Sequence, residues 1–215
     1  MNNFIENIAI NEILNPSLEL TLQFLKVCPV IIKSESPVIE DIIYSKDGDY
    51  AEVYFQLENE DYYLVVYIDL TPELSLRTVG TSAGNYVDLI VTSDNEDVEN
   101  LISIVGINPK RKWNEGERKG KSENRHEESG FIFRLNEKMT GEVEDKISQL
   151  LDFIFARGKE FKNLSKIASL DISIFYCGYK DQMWGVNLSK ETIKRLSEFD
   201  LSLDIDVYAS GADLE

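Results

Sequence analysis

The stretch "YAEVYFQLENEDYYLVVYIDL", residues 50–70, decides the fold class. Its two halves, 50–57 and 62–70, are built from Tyr, Val, Phe and Ile with a period near two, the pattern of β-strands. Between them Glu58-Asn59-Glu60-Asp61 is a short polar connection of hairpin length. Working outward, "LSLRTVG" (74–80) and "YVDLIVTS" (86–93) repeat the pattern. "SKDGD" (45–49), "TPE" (71–73) and "TSAGN" (81–85) read as turns, so the segment from residue 38 onward reads as an antiparallel meander.

On both sides of the meander the period lengthens. Residues 3–14 read as a helix with Phe4, Ile5, Ile8, Ile13 and Leu14 near one face. "NPSLELTLQFLKV" (15–27) fits a helix begun at Asn15-Pro16 and also alternates as a strand; the helix is preferred. "SDNEDVENLISIVGI" (93–107) predicts a helix with a Ser93–Glu96 capping box, a stripe of Val98, Leu101, Ile102 and Val105, and a stop at Gly106. "FIFRL" (131–135) returns to strand. Thr140 is the expected cap of a helix carrying Val143, Ile147, Leu150, Leu151 and Ile154, ended by Gly158. A short helix over 159–168 follows, then strands "SLDISIFYC" (169–177) and "MWGVNL" (183–188) around the turn "GYKDQ". A helix capped by Ser189, with Ile193 and Leu196 inward, leads to the strand "LSLDIDVYAS" (201–210), whose Leu201, Leu203, Ile205 and Val207 share a face.

These elements predict an α+β fold, antiparallel sheets with helices packed on one face. The organisation expected is an N-terminal helix and meander (1–85), a C-terminal α+β domain (86–212) and a tail (213–215) whose last two residues resemble a cloning remnant. "YVDLIVTS" can pair into either sheet, so the halves are expected to share a continuous core.

Charge narrows the function. The 215-residue chain carries a formal net charge of −17. Residues 1–109 hold four Lys/Arg against nineteen Asp/Glu, and residues 110–125 hold seven against three. So acidic an N-terminal half repels nucleic acid and anionic membranes and speeds encounter with a basic partner; the competing reading is charge for solubility alone. The two cysteines, Cys28 and Cys177, read as free core thiols, and a single histidine, His126, argues against transition-metal sites and His-based nucleophile relays. No cofactor or metal is expected. The N-terminus lacks the pattern of a secretion signal and apolar stretches such as "YYLVVYI" are too short to span a bilayer, so a cytosolic location is expected.

Four groups of residues are candidates for a site. "INPKRKWNEGERKGK" (107–121) is basic and centres on Trp113; Arg111 and Arg118 would meet a partner while Trp113 anchors the loop on a sheet edge and Gly116 and Gly120 turn it. A phosphate-gripping role is disfavoured, because three carboxylates interrupt the cations of 110–125 and no P-loop or GxGxxG spacing is present. Asp204 and Asp206, with Asp171, form a same-face carboxylate set that would suit Mg²⁺ or acid–base work, although such residues more often keep an exposed strand from edge pairing. The meander tyrosines, Tyr54 and Tyr63 above all, would form an exposed aromatic contact face. "GTSAG" (80–84) is not a GxSxG nucleophile elbow, and "DNEDVEN" (94–100) lacks the glycine and terminal glutamate of an EF-hand loop.

The order of a strand ending in Ser, an acidic capped helix, "GINPKRKWNEGERK", "SGFIFRL", the helix near 140–157, "MWGVNLS" and "LDIDVYASG" resembles domain-of-unknown-function family 4279 over residues 86–212. The resemblance implies a small bacterial α+β domain without an established activity; some members resemble proteins encoded beside secreted toxins, where an acidic protein acts as an immunity partner. No functional residue is carried over. The expected function is therefore a non-enzymatic cytosolic protein-binding module, most concretely an immunity-type protein neutralising a basic toxin. The alternatives are a small-molecule or enzymatic pocket near Trp113 and Trp184, or self-association through an isologous patch.

Overall fold

The computed structural model describes residues 2–214. Helices α1 (Asn2–Leu14) and α2 (Glu19–Val27) open the chain. The helical reading of 15–27 holds, but α2 begins after Leu18, which offers no side-chain cap. Glu12 does that work instead: its carboxylate accepts from Ser17 N and Oγ, from Leu18 N and from Thr21 Oγ1.

A two-residue hairpin, β1 (Ile32–Lys33) and β2 (Ser36–Pro37), precedes the meander β3 (Ile39–Tyr44), β4 (Tyr50–Gln56), β5 (Tyr62–Asp69) and β6 (Ser75–Ser93). The expected turn at 81–85 is absent: "TSAGN" lies inside β6, one strand of nineteen residues. Its first part pairs with β5 through Ala83, and from Gly84 it pairs with β9 (Ser169–Tyr179). Gly84 permits the handover, because a Cβ there would lie 1.8 Å from the carbonyl oxygen of Asp61. Small residues in a strand read as a turn because their other use, letting a second backbone approach, leaves the same signature.

The second half adds α3 (Val98–Val105), β7 (Arg111–Trp113), β8 (Ser129–Arg134), α4 (Val143–Ala156), α5 (Gly158–Leu164), β9, α6 (Lys190–Glu198) and β10 (Ser202–Ser210). The strands form one eight-stranded sheet in the order β10-β9-β6-β5-β4-β3, with β8 also on β6 and β7 on β8. Pairing is antiparallel except between β9 and β10, which run parallel, with α6 as the crossover between them. Two buried clusters meet along β6. Val79 packs with Val53, Leu64 and Val66 under α1 and α2, whereas Val87, Leu89 and Val91 pack with Phe131, Ile172 and the apolar stripe of α4.

Several local expectations change. The α3 cap is Asp97, accepting from Asn100 N at 2.8 Å, and Ser93 instead donates to Ile167 O. Gly106 does end α3 in the left-handed region, φ 62°. Thr140 is no cap but donates to Asp41 across the halves; α4 ends at Ala156, just before Gly158 as expected, and Gly158 also opens α5. "MWGVNL" forms no strand; it runs as an irregular segment held by Trp184, whose Nε1 donates to Tyr179 O at 2.9 Å. Ile193 and Val207 point to solvent. Cys28 and Cys177 are buried free thiols.

Candidate protein-contact face

Strand register places residues from five strands on one side of the sheet. Tyr86 is opposite Phe175, Asp88 opposite Ser173 and Ile90 opposite Asp171. Across the other edge of β6, Asp88 faces Arg134 and Ile90 faces Ile132. Arg111 then pairs with Ile132 and Trp113 with Gly130, while Asp204 and Asp206 pair with Ser173 and Phe175. Because neighbours in register share a face, Trp113, Arg111, Asp204 and Asp206 all belong to the same surface. The alternate positions Leu89, Phe131, Ile172 and Ile174 are buried beneath α3, α4 and α5. The helices therefore cover one side, and this side of β7-β8-β6-β9-β10 carries only side chains.

Its centre is aromatic. Tyr86 stacks on Phe175 at 4.8 Å, and Phe175 lies 5.3 Å from Tyr208, which is 51% exposed. Arg134 forms a fork to Asp88, Nε and Nη2 at 2.6 and 2.7 Å, and lies 3.5 Å from the Tyr86 ring centre. Burial opposes its charge, but the Asp88 bonds outweigh burial and hold it more firmly protonated than usual. The β10 end is acidic, with Asp204 and Asp206 exposed. Asp171 accepts from the Ser202 hydroxyl. Among the described residues no group of three or more His, Cys, Asp or Glu is arranged to hold a metal ion.

At the opposite end, β7 and β8 bracket a hairpin excursion that turns at Gly116 (φ 78°) and Gly120 (φ 62°). Trp113 anchors it as expected: its ring stacks on His126 at 4.7 Å and Nε1 donates to Glu128 O at 3.0 Å. Burial, with Lys119 and Arg111 nearby, holds His126 below its usual pKa. Arg111 lies 5.8 Å from the Trp113 ring, while Arg118 stands exposed in the excursion, bridged to Arg125 and away from the aromatic centre.

The tyrosine face expected on the meander is not there. Tyr54 is 1% exposed and donates to Glu52 at 2.6 Å; Tyr63 packs edge-on against it at 5.7 Å. Burial and Glu52 push the Tyr54 hydroxyl well above its ordinary pKa, and burial with neighbouring carboxylates pushes Tyr63 to about 12. Both are cavity walls. Tyr54 lines a cavity of about 500 Å³ between β3–β4 and the start of α4, and Tyr63 lines one of about 310 Å³ beside Gln56 and Met139. Trp184 lines a third cavity, on the β9 side, whose lining does not include Trp113. The residues missed from sequence are Tyr86, Phe175, Tyr208 and Arg134; the signal for Tyr86 and Phe175 was an aromatic residue in the otherwise mixed outward register of "YVDLIVTS" and "SLDISIFYC".

Among the described residues no helix is long and apolar enough to cross a membrane. No curated protein and no solved structure matches the chain. Residues 83–210, more than half of the molecule and the whole of the aromatic face, match the model of a domain of unknown function (DUF4279), and the chain belongs to that family.

Proposed function

We propose that the chain is a non-catalytic protein-binding module of immunity type, acting in the cytosol, that engages a basic partner through the uncovered face of β7-β8-β6-β9-β10. The observation that carries the reading is the Tyr86–Phe175–Tyr208 aromatic ladder on that face, bordered by Asp204 and Asp206. Rigid aromatic anchors supply most of the energy of a protein interface, and a carboxylate rim selects a basic partner. The acidic N-terminal half adds long-range attraction.

The test is recovery of partners from native cytosol at low salt and at about 0.5 M, where screening shortens electrostatic reach. Beside it runs the variant Tyr208→Lys/Asp204→Asn/Asp206→Asn, whose changes are all at exposed positions. A basic protein held in one-to-one ratio at low salt, weakened at high salt and lost by the variant, is expected. Bait alone at both salts, or equal recovery by the variant, overturns the reading.

A further inference from the structure

Strand β10 ends the sheet. Its register against β9 runs unbroken from Ser202 opposite Asp171 to Ser210 opposite Tyr179, and β9 is its only strand partner among the described residues. Main-chain N–H and C=O groups point alternately to the two sides of a strand, so the outer edge of β10 carries a row of them with no strand to pair with. The other strands that end the sheet are blunted. β7 is three residues long, and β3 has six with a register shift between Ile39 and Asp41. β10 has nine residues, with no proline, glycine or register shift.

Its side chains restrict what can join that edge. Asp204 and Asp206 stand on the aromatic face, while Ile205 and Val207, opposite Ile174 and Tyr176, stand on the helical face, where Val207 is 49% exposed. Among the described residues neither carboxylate has a hydrogen-bond or ion-pair partner. Neither β9 nor β10 contains a Lys or Arg. A second copy pairing antiparallel about the middle of β10 would set Asp206 opposite Asp206, and like charges directly opposed destabilise a strand pair. The carboxylates therefore oppose self-pairing. They favour a strand that presents cations at the same positions.

We infer that β10 takes up an extended segment of the basic partner as a further strand. Main-chain bonds run along the free edge, Lys or Arg lies beside Asp204 and Asp206, and apolar side chains lie beside Ile205 and Val207. The inference rests on the reading of a basic partner and adds how that partner is held.

The full chain is titrated calorimetrically with an end-capped peptide alternating Lys and Val and matching β10 in length. The same peptide N-methylated on its central amides and a Glu–Val counterpart are run at equal ionic strength, and amide hydrogen exchange is followed residue by residue. Saturable one-to-one binding of the Lys–Val peptide is expected, with every second amide of β10 exchanging at least ~10-fold more slowly at saturation. The methylated peptide keeps its charge but loses donors, and should bind at least ~10-fold more weakly, a factor that one or two main-chain hydrogen bonds supply. The Glu–Val peptide should not bind. No saturation by the Lys–Val peptide, equal affinity of either control, or protection confined to strands other than β10 each overturns strand addition. The basic-partner reading is decided separately by the salt-dependent recovery from cytosol: a partner recovered there while the β10 edge stays unprotected means docking through side chains alone.

Discussion

Lys146 donates from Nζ to the main-chain oxygen of Asn85 at 2.7 Å, and only 5% of the residue is exposed. Burial, assisted by the charge of Arg134, lowers its pKa from 10.5 to about 8. Between those values the unfolded chain holds a proton that the folded chain releases, so this group makes stability rise with pH. The buried thiols, whose pKa values burial raises, work the other way from about pH 9. The clean measurement is therefore the difference between wild type and Lys146→Met in urea unfolding. From pH 7.5 to pH 9 wild type should gain about 1 kcal/mol on the variant. A gap that does not change would mean that Lys146 titrates as if exposed.

The Arg134–Asp88 fork is sheltered on both sides, with side chains 9% and 10% exposed. Removing one partner strands a charge on the sheet. Asp88→Asn should cost about 3 kcal/mol, and Asp88→Leu/Arg134→Met should cost less than that single change, because the double variant leaves nothing uncompensated. Chemical denaturation decides it. A loss below ~0.5 kcal/mol for Asp88→Asn would place the pair with ordinary surface ion pairs.

How far the sequence carries is clear from β6. "YVDLIVTS" and "LSLRTVG" each read correctly as strand, yet their union through "TSAGN" did not, since propensity is local and the reason for Gly84 is the Asp61 carbonyl from another strand. Strand periodicity likewise placed Asp204 and Asp206 on one face, but only register adds Trp113 and Arg111 to it. Tyr54 went the other way. Its alternation with Val53 and Phe55 was legible, but the segment 136–146 that lines the cavity over it is distant in sequence. The parallel β9–β10 pair was also within reach, because a helix between two strands is the signature of a crossover.

The same strand offers an internal control for close approach. At Gly84 a Cβ meets backbone, Asp61 O at 1.8 Å, whereas at Gly80 the nearest atom is the Tyr67 ring at 3.7 Å, an ordinary contact. Gly84→Ala must move β5 away from β6 and should cost about 3 kcal/mol or more, as backbone overpacking does. Gly80→Ala should stay within about 1 kcal/mol. Thermal unfolding of the two variants side by side checks this, and equal midpoints would mean that the handover from β5 to β9 has slack.

Glu12 is the most enclosed carboxylate of the helical layer, 2% exposed, and its four hydrogen bonds tie α1 to the start of α2. Burial alone would raise its pKa, but the bonds from Ser17, Thr21 and Leu18 outweigh burial and lower it from 4.5. A depressed carboxyl contributes stability that is present above about pH 4.5 and is lost as pH falls through the folded value. Glu12→Gln keeps the shape and removes the charge, and its amide adds a donor facing donors already in place. At pH 7 the variant should be about 2–3 kcal/mol less stable by guanidinium unfolding. At pH 3 the gap should narrow, because below about pH 4.5 the unfolded wild-type chain takes up the proton that the folded carboxylate resists. A gap of constant size at both pH values would mean that Glu12 holds the two helices by shape and packing, and that its charge is irrelevant to the join.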